Sequence, residues 1–301
     1  MYYIGVDGGG TKTKFSLMDE DNRIIVEVTK GTCHFNQVGF DGLENVLREG
    51  LGELLEKAEL EEKDITRACL GLAGYGRVES IVLKIEKVVS KVFSNIEYIL
   101  KNDVQIAHAG ALGGKDGIVV ISGTGSIGYS LNEGVNRRVG GWGYTVGDEG
   151  SAYWIGRKAM EYFSKQADGR IPRSFLYSIF KNKLNISNDY DFINYINSKI
   201  NADRSEIAKF ATICFEAANN GDESAIKIFK DASKEIALII NTLGLDFNSD
   251  KIQASYIGGV FKSGNLILDP IKEYLSKNIE IKEPKYSPEV GACLIAKINK
   301  G

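Results

Sequence analysis

Seven residues near the start of the chain, Asp7-Gly8-Gly9-Gly10-Thr11-Lys12-Thr13, combine an acid, three consecutive glycines, two hydroxyls and a cation. Consecutive glycines let backbone N–H groups converge on an anion, the threonines add hydroxyl donors and Lys12 adds charge. Gly9, Gly10, Thr11, Lys12 and Thr13 therefore suit a polyphosphate. Asp7 stands at the end of a strand, placed to hold Mg²⁺ through water. An ordinary hairpin turn needs only one or two glycines. The loop is not a Walker A sequence: Gly5 and Gly10 have the right interval, but Thr11 stands where Lys is required and a strand follows instead of a helix.

A second small-residue loop, Ser122-Gly123-Thr124-Gly125-Ser126, follows another apolar run. It also reads G-x-G-x-x-G through Gly128, but the residues after it have strand character, whereas a dinucleotide fingerprint must open a helix. It is better read as a second phosphate turn. Asn102-Asp103 lies between an apolar strand and a helix, where α/β sheets place ligands, and the Asp is a candidate base for a hydroxyl attacking a γ-phosphate. Capping that helix is its other available role. Gly140-Gly141-Trp142-Gly143 and Val146-Gly147-Asp148-Glu149-Gly150-Ser151 join glycines, one Trp and paired acids, which suits sugar hydroxyls and a pyranose face. Asp148 has the alternative of capping a helix near Ser151. The glycines of residues 70–76 are compatible with a hinge. His108, on a helix between two alanines, reads as structural.

These residues need a frame. Residues 2–6, 14–18 and 23–29 read as an antiparallel meander, and residues 40–58 as a crossover helix. A strand at 65–72, a helix at 80–93, a strand at 96–100 and a helix at 104–112 complete the order βββαβαβα. The pattern then restarts with strands at 117–121, 127–131 and 135–139. A shift of 115 residues lays Gly8, Gly10 and Thr11 on Gly123, Gly125 and Ser126, which points to internal duplication. Helices are expected at 151–166, 173–183, 189–200, 205–219 and 223–247. A strand at 253–257 runs into Gly258-Gly259, followed by a helix at 266–276, a strand at 279–281 and a helix at 289–299. The expected fold is α/β: two duplicated domains, 1–114 and 115–301, with a cleft between them and the final helix packing back on the first.

Composition removes several classes. Of 301 residues, 43% are hydrophobic, and no apolar run reaches the roughly 18 residues of a membrane span. Thirty-seven basic residues against forty acidic ones give a net charge of −3 without a basic stretch, so neither nucleic acid nor a membrane is an expected partner. The N-terminus lacks a signal peptide's pattern, and a cytoplasmic location is expected. Cys33, Cys69, Cys214 and Cys293 form no CxxC pair, and His34 and His108 are the only histidines, which removes the usual zinc and redox spacings.

Taken in order, the two loops, Asn102-Asp103, the Gly140–Gly143 and Gly147–Ser151 segments and Gly258-Gly259 resemble the N-acetylglucosamine kinases of the BadF/BadG/BcrA/BcrD ATPase family. That family lies within the actin, hexokinase and Hsp70 superfamily, and the resemblance spans nearly the whole chain. It implies two ribonuclease H-like domains closing on ATP, Mg²⁺ and an amino sugar, with phosphorylation of the sugar 6-hydroxyl. The resemblance makes Asp103 the catalytic base, Thr11 and Thr124 phosphate contacts, and Gly141, Trp142, Gly143 and Asp148 the sugar segment. It places adenosine at Gly258, Gly259 and Ala211. The family's sugar-binding Asn, four residues before a Val-Gly pair, corresponds to His34 here, with Asn36 two residues later. Either suits sugar hydroxyls, and N-acetylmuramic acid, whose lactyl carboxylate could meet a His, stays open beside N-acetylglucosamine and glucosamine. A homodimer and a place in cell-wall amino-sugar salvage are further implications.

Two other functions share this scaffold. An activator ATPase of a 2-hydroxyacyl-CoA dehydratase or benzoyl-CoA reductase needs cysteines for an iron–sulfur cluster beside a glycine-rich interface motif, and these four have no such setting. A sugar-sensing regulator carries an added DNA-binding segment, and here the first strand is expected from residue 2.

Overall fold

The computed structural model describes residues 1–76 and 78–298. Contacts divide the chain into two units, Met1–Gly117 with the segment from Glu283 onward, and Ile118–Lys282.

In the first unit, β1 (Tyr2–Gly8), β2 (Lys12–Asp19) and β3 (Ile24–Gly31) form the expected antiparallel meander. Next come α1 (Phe35–Ala58), β4 (Ile65–Leu72), α2 (Glu79–Val92), β5 (Tyr98–Asn102) and α3 (Asp103–Leu112). The sheet order is β3-β2-β1-β4-β5, with β1, β4 and β5 parallel. Boundaries that bear on the site differ from the periodicity reading at α1 and β5. Helix α1 starts at Phe35 because His34 caps a first turn, and Gly39 (φ 70°) then breaks the helix before its long amphipathic part. Strand β5 runs to Asn102, two residues beyond expectation, because Asn102 still pairs with Leu72 in the ladder.

The second unit repeats the plan. β6 (Gly117–Ser122), β7 (Ser126–Asn132) and β8 (Val135–Gly140) are followed by α4 (Ala152–Ala167), α5 (Phe175–Leu184), α6 (Asp191–Tyr195), α7 (Arg204–Asn219) and α8 (Glu223–Gly244). The fold closes with β9 (Ile252–Ile257), α9 (Asn265–Tyr274) and β10 (Ile279–Lys282). Its sheet order, β10-β9-β6-β7-β8, is the first sheet's order read from the opposite edge. Both units thus have the ribonuclease H-like topology. The second differs by inserting helices between β8 and β9, where stacked and edge-on rings of Phe163, Phe180, Phe192 and Phe210 form much of the core. The helix expected at 189–200 is split into α6 and a π turn, Ile196–Ile200. The helix expected to 247 ends at Gly244.

The last helix, α10 (Pro288–Ile298), belongs to the first unit. Strand alternation explains why that unit needs it. Ile4 and Val6 on β1 point into a core shared with Leu43, Leu47, Ile85 and Val89 of α1 and α2. Tyr3, on the opposite face, packs with Ile106 of α3 and with Ala292, Cys293 and Ala296 of α10. Among the described residues no helix is long and apolar enough to cross a membrane.

Candidate active site

The first glycine loop turns between β1 and β2. Gly9 N–H donates to Lys12 O (3.1 Å), Thr32 Oγ1 to Gly9 O (2.9 Å) and Gln37 Nε2 to Gly10 O (2.8 Å). The two carbonyls are thereby held by side chains from the start of α1 and the turn before it. Gly10, Thr11 and Lys12 are exposed. Thr13 departs from expectation: it is fully buried and its hydroxyl donates to Gly31 O (2.8 Å), joining β2 to β3. Of the two threonines only Thr11 is exposed.

Asp7 is half-buried one residue before the end of β1. Burial, then the negative charges of Glu289 and Asp103, push its carboxyl up to about 7, against the opposing charges of Lys14 and Lys12. Glu289, itself 2% exposed, is paired with Lys14 Nζ at 2.7 Å. The ladder explains why Asp103 acts on Asp7. Gly8 pairs with Leu72 and Leu72 with Asn102, so the carboxyl ends of three parallel strands stand in one row. Asp103 follows that row, two strand spacings, about 10 Å, from the first loop. Cross-links reinforce it: Ala73 N–H donates to Gly8 O (2.9 Å) and Asn102 Nδ2 to Tyr75 O (2.9 Å). Gly74 and Gly76 thus sit in a turn tied to both strand ends, whereas Gly71 lies within β4.

Asn102, not Asp103, is the cap of α3. Its Oδ1 accepts from Val104 N (3.1 Å), and its N–H donates to Gln105 Oε1 (3.0 Å), closing a capping box. Asp103 Oδ1 lies 3.0 Å from the same Val104 N–H, which anchors that carboxylate at the first turn of the helix. His34 caps α1 by accepting Asn36 N–H at Nδ1 (3.2 Å), which leaves the ring proton on Nε2, and it stacks on Phe35. Asn36 is exposed. Because Thr32 Oγ1 bonds both His34 N and Gly9 O, the start of α1 and the first loop are one assembly.

In the second unit the loop after β6 is fastened to the start of α4. Ala152 N–H donates to Gly123 O (2.8 Å) and Gly123 N–H to Gly125 O (2.9 Å). Thr124 is exposed, whereas Ser126 is buried with its hydroxyl on Glu149 O (2.6 Å), a structural hydroxyl like that of Thr13. Ser151 caps α4, so Asp148 does not. Asp148 is 3% exposed, and its carboxylate takes Arg204 Nη2 (2.7 Å) and Ser126 N–H (3.4 Å). It therefore stands on the second glycine loop. Trp142 is 77% exposed with the Arg138 guanidinium 5.9 Å from its ring centroid. Arg138 Nη2 also holds Gly141 O at 2.6 Å in the segment that ends at Gly143.

Gly258 (φ 122°) follows β9, and a Cβ there would collide with the Ser122 carbonyl. The turn after it, Gly259–Ser263, forms one wall of a cavity of about 290 Å³. Ala208, Ala211, Thr212 and Phe215 of α7 form another wall, and Ala152 links the cavity to the second loop. Ala211 and Gly259, far apart in sequence, are thus brought together in a largely apolar slot that suits a heteroaromatic base. The spacing 208, 211, 212, 215 is one helical face and was legible as such. Arg204, which completes the second turn, carries no motif.

The BadF/BadG/BcrA/BcrD ATPase family matches residues 4–296. The chain is 33% identical to the N-acetylmuramic acid/N-acetylglucosamine kinase of Clostridium acetobutylicum, over 98% of both chains. It is 30% identical to the N-acetyl-D-glucosamine kinase of Dictyostelium discoideum, over 98% of this chain and 97% of that one. A solved candidate N-acetylglucosamine kinase from Chromobacterium violaceum superposes with a TM-score of 0.74 at 26% identity, over 98% of both chains.

Proposed function

From the premise that the chain belongs to the BadF/BadG/BcrA/BcrD ATPase family, we propose that it is an ATP-dependent amino-sugar kinase acting on the 6-hydroxyl of N-acetylglucosamine, and of N-acetylmuramic acid as a second acceptor. The observation that carries the reading is the row of strand ends that sets Asp103 beside the first phosphate turn while Asn102 caps α3.

In the proposed reaction the sugar 6-oxygen attacks the γ-phosphorus and the bond from phosphorus to the β,γ-bridging oxygen breaks. ADP leaves, and the hydroxyl proton passes to the Asp103 carboxylate. In the first unit Thr11, Lys12 and the Gly10 N–H are the proposed phosphate contacts, Gly9 serving the turn itself through its bond to Lys12 O. In the second unit the proposed contacts are Thr124 and Gly125 for phosphate and the slot of Ala211 and Gly259 for the base. Mg²⁺, when bound, would neutralise charge on the β- and γ-phosphates, and Asp7 is the residue to hold it through water. The Asp7 carboxyl, raised by burial first and then by the charges of Glu289 and Asp103, supports this, since a nearby cation would offset both. His34 and Asn36 are the proposed sugar contacts of the first unit, and Gly141 to Gly143 those of the second. A cytoplasmic homodimer in amino-sugar salvage is part of the same proposal.

The test is ADP release from MgATP with N-acetylglucosamine, N-acetylmuramic acid, glucosamine, glucose or no sugar. Release only with amino sugars is expected. Asp103→Asn should lower turnover by about 10²-fold or more with sugar and nucleotide affinities retained. Hydrolysis indifferent to sugar would shift the reading to an activator ATPase, and near-normal turnover in Asp103→Asn would remove the assigned base.

A further inference from the structure

Arg204 breaks local rules. It is the first residue of α7, where the helix dipole favours acids and opposes a cation. Asp203, the cap, and Glu206 satisfy that preference, so the helix itself has no use for an arginine there. Its Nε is buried without a hydrogen-bond partner, a further cost. The guanidinium lies at the second phosphate turn: a Cβ on Gly125 would collide with Arg204 Nη2, so glycine at 125 makes room for it. Asp148 grips it through Nη2 at 2.7 Å, and the Tyr144 ring lies 5.8 Å from its centre. Asp148 holds this position in the left-handed region, at φ 60°. Three local costs therefore converge on one cation 37% exposed beside Gly123-Thr124-Gly125. Such convergence marks function rather than framework.

We propose that Arg204 binds the phosphates of the nucleotide at the second turn and that Asp148 is its positioning residue. The proposal rests on the reading that the chain takes a nucleotide, and it adds the charged contact which that turn lacks. A guanidinium has a planar fork of five donors, so one edge can stay on Asp148 while other N–H groups meet phosphate oxygens. The carboxylate fixes the plane of the fork before the nucleotide arrives. Asp148, matched by resemblance to a sugar contact, then acts through Arg204 on the nucleotide side.

The experiment is calorimetric titration of the full chain with ADP and with adenosine, which has the same base and ribose but no phosphate. Arg204→Gln should weaken ADP by about tenfold to a hundredfold, the effect of losing a hydrogen bond to a charged group, and leave adenosine unchanged. Arg204→Lys, which keeps the charge but not the fork, should fall between. Asp148→Asn should weaken ADP in the same direction and leave adenosine unchanged. Equal weakening of ADP and adenosine, or unchanged ADP affinity in Arg204→Gln, would overturn the phosphate contact. Normal ADP affinity in Asp148→Asn would overturn the positioning role. Failure of the kinase reading is separable, because it shows as no sugar-dependent ADP release by the unaltered protein while both titrations still read Arg204.

Discussion

Asp103 and His108 stand on the same ten-residue helix with opposite relations to water. Asp103 opens the helix at the row of strand ends, whereas His108 is 2% exposed with Nε2 3.0 Å from Gly117 O, to which it donates. Burial holds the His108 imidazole below its usual range, against the carbonyl bond and the charge of Asp116. The folded protein therefore keeps the ring neutral. As the pH falls through about 6.5 the unfolded chain takes up a proton there that the folded chain refuses, so stability declines. Asp7, whose raised carboxyl gains its proton in the folded chain first, opposes that loss, so the test is a difference: between pH 7.5 and 5.5 the melting temperature of His108→Gln, which keeps a donor but cannot titrate, should fall less or rise more than that of the unaltered protein. An identical pH dependence in the variant would show that His108 is not the group responsible. Thr13 and Ser126 teach the same lesson about contacts: their types suit phosphate, yet both hydroxyls donate to backbone carbonyls. Residue type nominates a donor, and burial decides whom it serves.

Elements are positioned by their ends. The capping box of Asn102 and Gln105 turns β5 directly into α3, which brings Asp103 to the level of the first loop. At the other end of the chain's pattern, Gly258 turns β9 into the wall of the apolar slot while its Cα lies against the end of β6. Gly258→Ala should cost about 1–3 kcal/mol in denaturant titration, as overpacking against a rigid backbone does. It should also weaken ADP binding, because Gly259 follows directly. An unchanged unfolding midpoint would mean that the turn relaxes freely. The glycine loops were readable because their backbone geometry admits few residue types. The early start of α1 was not, because Gly39 interrupts the periodicity that signals a helix.

At the scale of the whole molecule, two sheets of equal order carry the duplicated plan, and the helices inserted between β8 and β9 give the second unit its apolar slot. The last helix, although it follows the second unit in the chain, completes the first. Cys293 Sγ lies 3.8 Å from Tyr3 O, 290 residues away, and Gly5 admits the Glu289 carbonyl where a Cβ would collide. A chain ending at Lys282 should therefore lose the cover over Tyr3, Met18, Cys69 and Ile106. In hydrogen exchange its β1 and β4 amides should lose protection while those of β6 and β9 keep theirs. Retained protection in β1 and β4 would show that the first unit closes without α10.

The strands, most of the helices, the repeat and the two glycine loops were set by local sequence, since alternation, helical spacing and glycine need only neighbours within a few residues. Asp103 was legible for the same reason, standing in a strand-to-helix junction. Only the tertiary structure decided that Asn102 takes the cap, that Thr13 and Ser126 are framework, and that Ala211 meets Gly259. It alone paired Arg204 with Asp148 across 56 residues. Periodicity states which face of an element leaves water but not which distant face receives it, and that pairing depends on how whole layers stack.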